Sequence, residues 1–383
     1  MSNPPIVINA FQRPDSLKRL LNSLQKASIP DDVDLWFSIE FGAHPEVLKM
    51  VSSFDWKFGK KTILEKEQKL GLVGHFLACG DLTSQLGTIV YLEDDLYVGA
   101  GFYSYVLQVL DAYGEEDRIG GFSLNALWFN GYLHLPFKPI QDGNPSFFLQ
   151  VAWYQGQIYT AAQWQHFKEW LVMDEGAAPD LLMHDSMINF HLEDDWFPLK
   201  SRYLVETGRF YCFPREAQVV NFGDAGTHFA NKTDFFMTEA SLDSISAVFK
   251  PFEKCLAVYD SFFEILPDRL NVFCPHLRGK DVEIDLNGTK DLSRIQKEYL
   301  ISPKQCKSPI SQYALEMRPH EMNIAEQISG DYFSLGRLVD FESGSVSMQK
   351  ELQRFRYFHR HKLGLKKQLI LWLKNAIQTF VKV

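Results

Sequence analysis

Short apolar runs early in the chain constrain its fold more than any other feature. Pro5 to Phe11 (PIVINAF) and Gly87 to Leu92 (GTIVYL) are both nearly continuous in apolar residues. Runs of this length without polar alternation are the pattern of strands buried on both faces. Gln12-Arg13-Pro14-Asp15 breaks the first run. Leu17, Leu20, Leu21 and Leu24 then recur at helical spacing, with Asp15 or Ser16 as the expected N-cap. A second strand reads Val33 to Ile39, a helix follows through Glu46 to Val51, a third strand is Lys61 to Glu65, and Gly74 to Leu82 reads as helix. Such alternation predicts an α/β fold, with a mostly parallel sheet flanked by helices and right-handed crossovers. Ligands bind such sheets beyond the carboxyl ends of the strands. That rule selects three loops: Gln12-Arg13, Glu40-Phe41-Gly42 and Glu93-Asp94-Asp95.

With 383 residues the chain is long enough for more than one domain, and 46% hydrophobic residues supply a substantial core. Past residue 240 the pattern changes to short strand-like pieces separated by Pro, Gly and Asn, among them Val282 to Leu286 and Tyr313 to Met317. The expected organisation is an α/β domain over 1–240, a smaller α+β domain over 241–345 and a basic amphipathic tail over 346–383. A net charge of −9 excludes a general nucleic-acid binder, which needs clustered Lys and Arg. The five cysteines include no C-x-x-C pair, so neither a disulfide framework nor a zinc site is indicated. A strand-like run almost at once after Met1 leaves no secretory leader in view. The expected compartment is the cytoplasm.

The tripeptide Glu-Asp-Asp occurs twice, at 93–95 and at 193–195. The first ends a buried strand, where carboxylates repel one another unless a cation sits among them. Hard oxygen ligands suit Mg²⁺ or Mn²⁺, which bind through one or two carboxylates plus substrate phosphates. The plain alternative is a helix N-terminus favouring acidic side chains. The second triplet follows a helix-like stretch from Ser186 to His191 and reads as solvated surface.

Ile89 to Tyr105 (IVYLEDDLYVGAGFYSY) resembles the strand–DxD–helix segment of GT-A glycosyltransferases, in particular the N-acetylglucosaminyltransferase I-like and related bacterial sugar transferases. Pro5 to Leu24 is similar to that family's first strand, Arg-containing nucleotide loop and first helix. Ser38-Ile-Glu-Phe-Gly resembles its second loop near the nucleotide base, and Gly71-Leu-Val-Gly-His-Phe the lead into the next helix. Val151 to Trp164 resembles the acceptor-side segment, though bacterial members more often read Ser-Trp-Gly-Gln where this chain has Trp153-Tyr154-Gln155-Gly156. Val219 to His228 resembles the closing segment. The likeness covers roughly residues 4–236 and implies a nucleotide-sugar donor, a divalent cation and an inverting single displacement.

Carried over residue by residue, it makes Asp95 the metal ligand, with His228 approaching the metal or the diphosphate. Arg13, Glu40, Glu93 and Asp94 become donor-binding, and Trp153, Tyr154 and Trp164 acceptor-side. Asp185 becomes the base, with Asp180 as a second choice. Each has a bland alternative: a loop ion pair for Arg13, a helix N-cap for Asp185, a structural histidine for His228, ordinary core for the aromatics. Gly223 and Gly226 would allow close backbone approach in a mobile closing loop. The implied activity is hexosyl or N-acetylhexosaminyl transfer to a glycan or lipid-linked hydroxyl, in polysaccharide or glycan synthesis. The alternatives are a sugar nucleotidyltransferase, for which the usual Gly-rich basic phosphate loop is missing from 4–24, and a non-catalytic carbohydrate-binding protein. From Arg354 to Val383 there are eight Lys or Arg and no Asp or Glu. Leu365, Leu369, Trp372, Leu373, Ala376, Ile377 and Phe380 would form one stripe on a helix, the pattern of a segment lying on an anionic membrane surface, with a helix docked on the protein's own core or a dimer contact as the alternative.

Overall fold

The structure is a computed structural model that describes residues 3–178, 180–188, 195–225, 231–233, 237–241 and 247–359. Each early strand-like segment becomes a strand. β1 (Ile6–Ala10), β2 (Leu35–Ile39), β3 (Lys61–Glu65) and β4 (Ile89–Glu93) run parallel in the order β4-β1-β2-β3. Further along come β5 (Leu96–Val98), β6 (Ile119–Ser123), a hairpin of β7 (Phe129–Asn130) and β8 (Leu135–Pro136), β9 (Ser146–Leu149) and β10 (Gln157–Tyr159). β11 (Phe210–Pro214), β12 (Val219–Asn221) and β13 (Val258–Tyr259) follow. β10 lies antiparallel between β4 and β6, and β11, β9 and β13 extend the sheet to nine strands.

Both faces of this sheet are covered, as the runs require. Ile6 and Ile8 pack against Leu17, Leu20 and Leu24 of the helix Pro14–Lys26 and against Phe102 and Val106 of the helix Phe102–Tyr113. Val7 and Tyr91 point the other way, into a core with Phe76, Cys79, Trp164, Phe167 and Trp196. Those rings come from the helices Gly71–Gly80, Ala161–Met173 and Trp196–Glu206. Asp15 and Ser16 do not cap the first helix. It begins at Pro14, with Arg13 in the cap position and no side-chain capping bond. Proline suits a first turn, where its missing N–H is one of the unpaired donors anyway.

The large sheet reaches past residue 240, because β13 is its edge strand. Beyond it a four-stranded sheet forms from β14 (Val282–Ile284), β15 (Tyr299–Ser302), β16 (Ser311–Tyr313) and β17 (Phe333–Arg337), in the order β14-β15-β17-β16. Its core is continuous with the large sheet's second face through Tyr259, Phe263, Ile284 and Leu335. Buried Lys290 ties the two: its Nζ lies 2.5 Å from Asp260 Oδ2, just after β13, and 2.5 Å from Glu283 Oε1 on β14.

A last helix, Met348–Phe358, docks on this second sheet through Arg354, whose Nη1 donates to the Asn287 carbonyl, and Tyr357, whose hydroxyl donates to that of Met317. Arg354 is therefore buried and drops out of the basic face expected for the tail. Met348, Leu352 and Phe355 form its exposed apolar stripe. Residues 360–383 lie outside the described residues. Among the described helices none is long and apolar enough to cross a membrane.

Gly80 fixes how closely two of the covering helices approach. A Cβ built there would sit 2.0 Å from the indole of Trp164. Gly80→Ala should therefore cost about 1–3 kcal/mol through overpacking, read as a lowered unfolding midpoint in urea. An unchanged midpoint would show that the contact is looser than described.

Candidate functional site

The carboxyl ends of β1 and β4 meet in an ion-paired cluster. Arg13, at the turn after β1, sets Nη2 2.6 Å from Asp94 Oδ1 and Nη1 2.7 Å from Asp95 Oδ2, so the guanidinium spans both carboxylates. The Phe11 amide donates to Asp94 Oδ2 at 3.2 Å. Burial alone would lower the pKa of Arg13, but Asp94, Asp95 and Glu93 outweigh it and hold the charge on. Burial pushes Asp94 up to about 6 even though Arg13 pulls the other way. Glu93 goes well above the ordinary carboxylate range, through burial first and then the charge of Asp95, with Asp94 and Asp195 adding to the effect and Arg13 opposing it. The cation demanded among these carboxylates is thus, in the protein alone, Arg13. This is the loop ion pair weighed for that residue.

The loop after β2 is held by Glu40, whose side chain is buried. Its Oε1 accepts from the amides of Phe41 at 2.8 Å and Leu70 at 3.0 Å, and its Oε2 from Gly71 at 2.9 Å. Expected at the nucleotide, Glu40 here clamps its own loop to the start of the helix Gly71–Gly80. His75 on that helix stands behind it, with Nε2 2.8 Å from Ser38 Oγ and Nδ1 3.9 Å from Glu40 Oε2. Burial pushes its pKa down to about 4 against the pull of Glu40, so the ring is neutral in the folded protein.

The closing segment reaches the acidic cluster by strand pairing. β12 runs antiparallel to β5, which begins at the residue after Asp95, with Asn221 opposite Leu96. Three buried side-chain oxygens here have no hydrogen-bond partner: Glu93 Oε1, Asp95 Oδ1 and Asn221 Oδ1. Asp224 is gripped by Arg19 and by Ser16 Oγ, while Arg19 also lies over the ring of Phe222, 4.3 Å from its centroid. Gly223 has φ +60°, and a Cβ there would sit 1.5 Å from the carbonyl oxygen of Thr233. The close approach expected of this glycine is present; Gly226 and His228 lie outside the described residues.

Asp195 corrects the reading of the second acidic triplet as solvated surface. It is 1% exposed, caps the helix Trp196–Glu206 by accepting from the Phe197 amide, and receives the Tyr154 hydroxyl at 2.6 Å. Trp196, next in the chain, stacks on Phe76 with centroids 4.1 Å apart, which fixes the start of that helix over the large sheet. Glu193 and Asp194 lie outside the described residues. One signal for Asp195 was available in the sequence: an aspartate directly before an apolar helix start is an N-cap.

The remaining candidates separate. Trp164 is core, enclosed by Phe76, Tyr159 and Phe167, with its indole N–H donating to Asp81 Oδ1 at 2.8 Å. Trp153 and Tyr154 stay near the acidic cluster, Tyr154 through Asp195. Asp185 opens a short helix (Asp185–Ile188), is largely exposed and pairs with Arg294 at 2.8 Å. Asp180 is exposed too.

Among the described residues no three His, Cys, Asp or Glu side chains are set to hold a metal by themselves. The unpartnered oxygens of Glu93 and Asp95 nevertheless fit a Mg²⁺ or Mn²⁺ that completes its shell with phosphate oxygens and water, the usual mode for such ions.

No protein-family profile matches the chain, and no curated protein is similar to it in sequence. It is similar to the crystal structure of S. aureus TarS 1-349, with 13% identity over 58% of this chain and 60% of that one and a TM-score of 0.37. It is also similar to that protein's complex with UDP-GlcNAc, with 14% identity over 56% of this chain and 59% of that one and a TM-score of 0.34. Against S. aureus TarS without that truncation the match covers 37% of the other chain. Likenesses of this size leave the function to be read from the site.

His75 yields a pH test. Its folded pKa is depressed, so the stability it contributes is full above about 6.5 and is lost as pH falls toward about 4. The loss is on the order of 3 kcal/mol. Between pH 7 and 4.5 the urea midpoint of the wild type should fall further than that of His75→Gln. Equal falls would mean that the ring titrates normally.

Proposed function

We propose that this chain is a glycosyltransferase that moves a hexosyl or N-acetylhexosaminyl group from a nucleoside-diphosphate sugar to a hydroxyl of a glycan or lipid-linked acceptor. The observation that carries the reading is the cluster beyond β4: buried acidic oxygens without partners beside an arginine fork, at the carboxyl ends of parallel strands. A planar guanidinium suits a diphosphate, and Arg13 is poised to exchange its carboxylate partners for phosphate oxygens. Asp95, with Glu93 beside it, would hold a Mn²⁺ or Mg²⁺ arriving with the donor. When bound, such an ion stabilises charge on the leaving diphosphate.

The chemistry asked of the chain is then a single displacement. A base takes the acceptor hydroxyl proton as that oxygen bonds to the anomeric carbon, and the diphosphate departs with the electron pair of the broken bond. Inversion follows from one displacement. For the base, the resemblance puts forward Asp185 and the geometry Asp195. The observation favouring Asp195 is that it is buried and close enough to Glu93 to push that carboxyl's pKa up, whereas Asp185 faces solvent and Arg294. A sugar nucleotidyltransferase shares the acidic site, but the turn after β1 offers Arg13 and Pro14 in place of a Gly-rich phosphate loop.

Hydrolysis of a panel of nucleotide sugars, with and without Mn²⁺, tests the activity. Asp95→Asn should abolish most turnover, since the ion is worth several kcal/mol in the transition state. Asp195→Asn should lower the transfer rate by roughly 10²–10⁴-fold with donor affinity kept, as loss of a positioned base does. If Asp185→Asn shows that loss instead, the base is Asp185. If neither Asp95→Asn nor either base variant changes turnover, the site assignment fails.

A peripheral place on the inner face of the membrane belongs to the same proposal, carried by residues 360–383. Full-length protein should sediment with vesicles containing phosphatidylserine at low salt, while a chain ending at His359 stays in the supernatant. Equal behaviour of the two would remove the membrane from the account.

A further inference from the structure

Beside the acidic site lies a cleft of about 340 Å³, between the loop after β6, the β7–β8 hairpin and Trp153. That size falls within the range of small-ligand pockets. Its walls are aromatic: Trp128, Phe129 and Trp153 line it, and the Trp128 indole is held in place by donating to the Arg215 carbonyl at 3.3 Å. Asn125, fully buried, also lines it. Its Nδ2 donates to the Val219 carbonyl at 2.9 Å and to Thr238 Oγ1 at 2.7 Å, which leaves Oδ1 buried with no hydrogen bond. An amide oxygen in that state is destabilising until a donor arrives.

Among the described residues lining the cleft there is no Asp, Glu, Lys or Arg. Two histidines, His134 and His359, line it as well, so a charged ligand entering it would lose water and meet no permanently charged side chain. A pyranose presents the opposite chemistry, with an apolar C–H face for an indole and hydroxyl donors for an unpaired carbonyl. The cleft is also linked to the acidic site through its neighbours. Trp153 adjoins Tyr154, which binds Asp195, and Asn125 holds the β12 strand that pairs with β5 just after Asp95.

We infer that this cleft takes an electrically neutral sugar residue of the acceptor, stacked on an indole, with one hydroxyl donating to Asn125 Oδ1. The inference rests on the transferase reading and names the acceptor's chemical class. The probes are methyl β-glucopyranoside, methyl β-galactopyranoside and methyl N-acetyl-β-glucosaminide, with methyl β-glucuronide and glucose 6-phosphate as charged counterparts. Saturation-transfer NMR on the full chain should show binding of at least one neutral glycoside and weaker binding of both charged sugars.

Trp128→Ala should weaken that binding about tenfold or more through loss of the ring face, with Trp128→Phe restoring part of it. Phe129→Ala gives a second variant should Trp128→Ala fold poorly. The inference is overturned if no neutral glycoside binds, if the charged sugars bind equally well, or if the ring substitutions leave affinity unchanged. Nucleotide-sugar hydrolysis by the wild type reads the parent proposal separately. Hydrolysis without glycoside binding overturns the cleft alone; glycoside binding without hydrolysis supports the cleft and overturns the transferase reading.

Discussion

Three carboxylates at the end of one buried strand can be tolerated only if their charge is answered. Here the answer is a single guanidinium. Arg13 spans Asp94 and Asp95, and burial drives Glu93 toward its neutral form. An aspartate with a pKa near 6 beside an arginine is poised to change partners when another anion or cation enters. That balance joins the carboxyl ends of β1 and β4 and leaves two carboxylate oxygens, on Glu93 and Asp95, without partners.

The surrounding structure holds this cluster in place. Glu40 spends its carboxylate on three backbone amides, which locks the neighbouring loop to the helix behind it. The β5–β12 pairing, with Asp224 anchored by Arg19, brings the closing segment alongside. The Phe76–Trp196 stack sets the start of the helix that Asp195 caps. The Glu40 and Phe76–Trp196 contacts are buried and would cost stability if half made, so the site's geometry is coupled to the stability of the fold.

β1, β2 and β4 were legible because burial writes itself as a mostly apolar run, and β3, a partly exposed edge strand, through its place in the strand–helix alternation; the loops they aim follow from sheet topology alone. The acidic triplet on β4 was legible for the same reason. Asp195 was legible only as an N-cap before an apolar helix start; its burial was not, because tertiary packing alone encloses it. Nor was the inward turn of Arg354: its side chain reaches a carbonyl more than sixty residues away in sequence. The role of Glu40 was missed because satisfying amides from a second loop is a tertiary matter that no local pattern records. The edge strand β13 was hidden by its length of two residues, too short for any periodicity.

The claim on which everything else turns is that the acidic edge takes its cation together with a nucleotide. Calorimetric titration of a nucleoside diphosphate into the full chain, with Mn²⁺ present and with EDTA, measures that linkage. The account predicts nucleotide binding that is strong with Mn²⁺ and weak without it, and little Mn²⁺ binding in the absence of nucleotide, because Arg13 already answers the charge. Nucleotide binding of equal strength in EDTA, or tight Mn²⁺ binding by the protein alone, would contradict it.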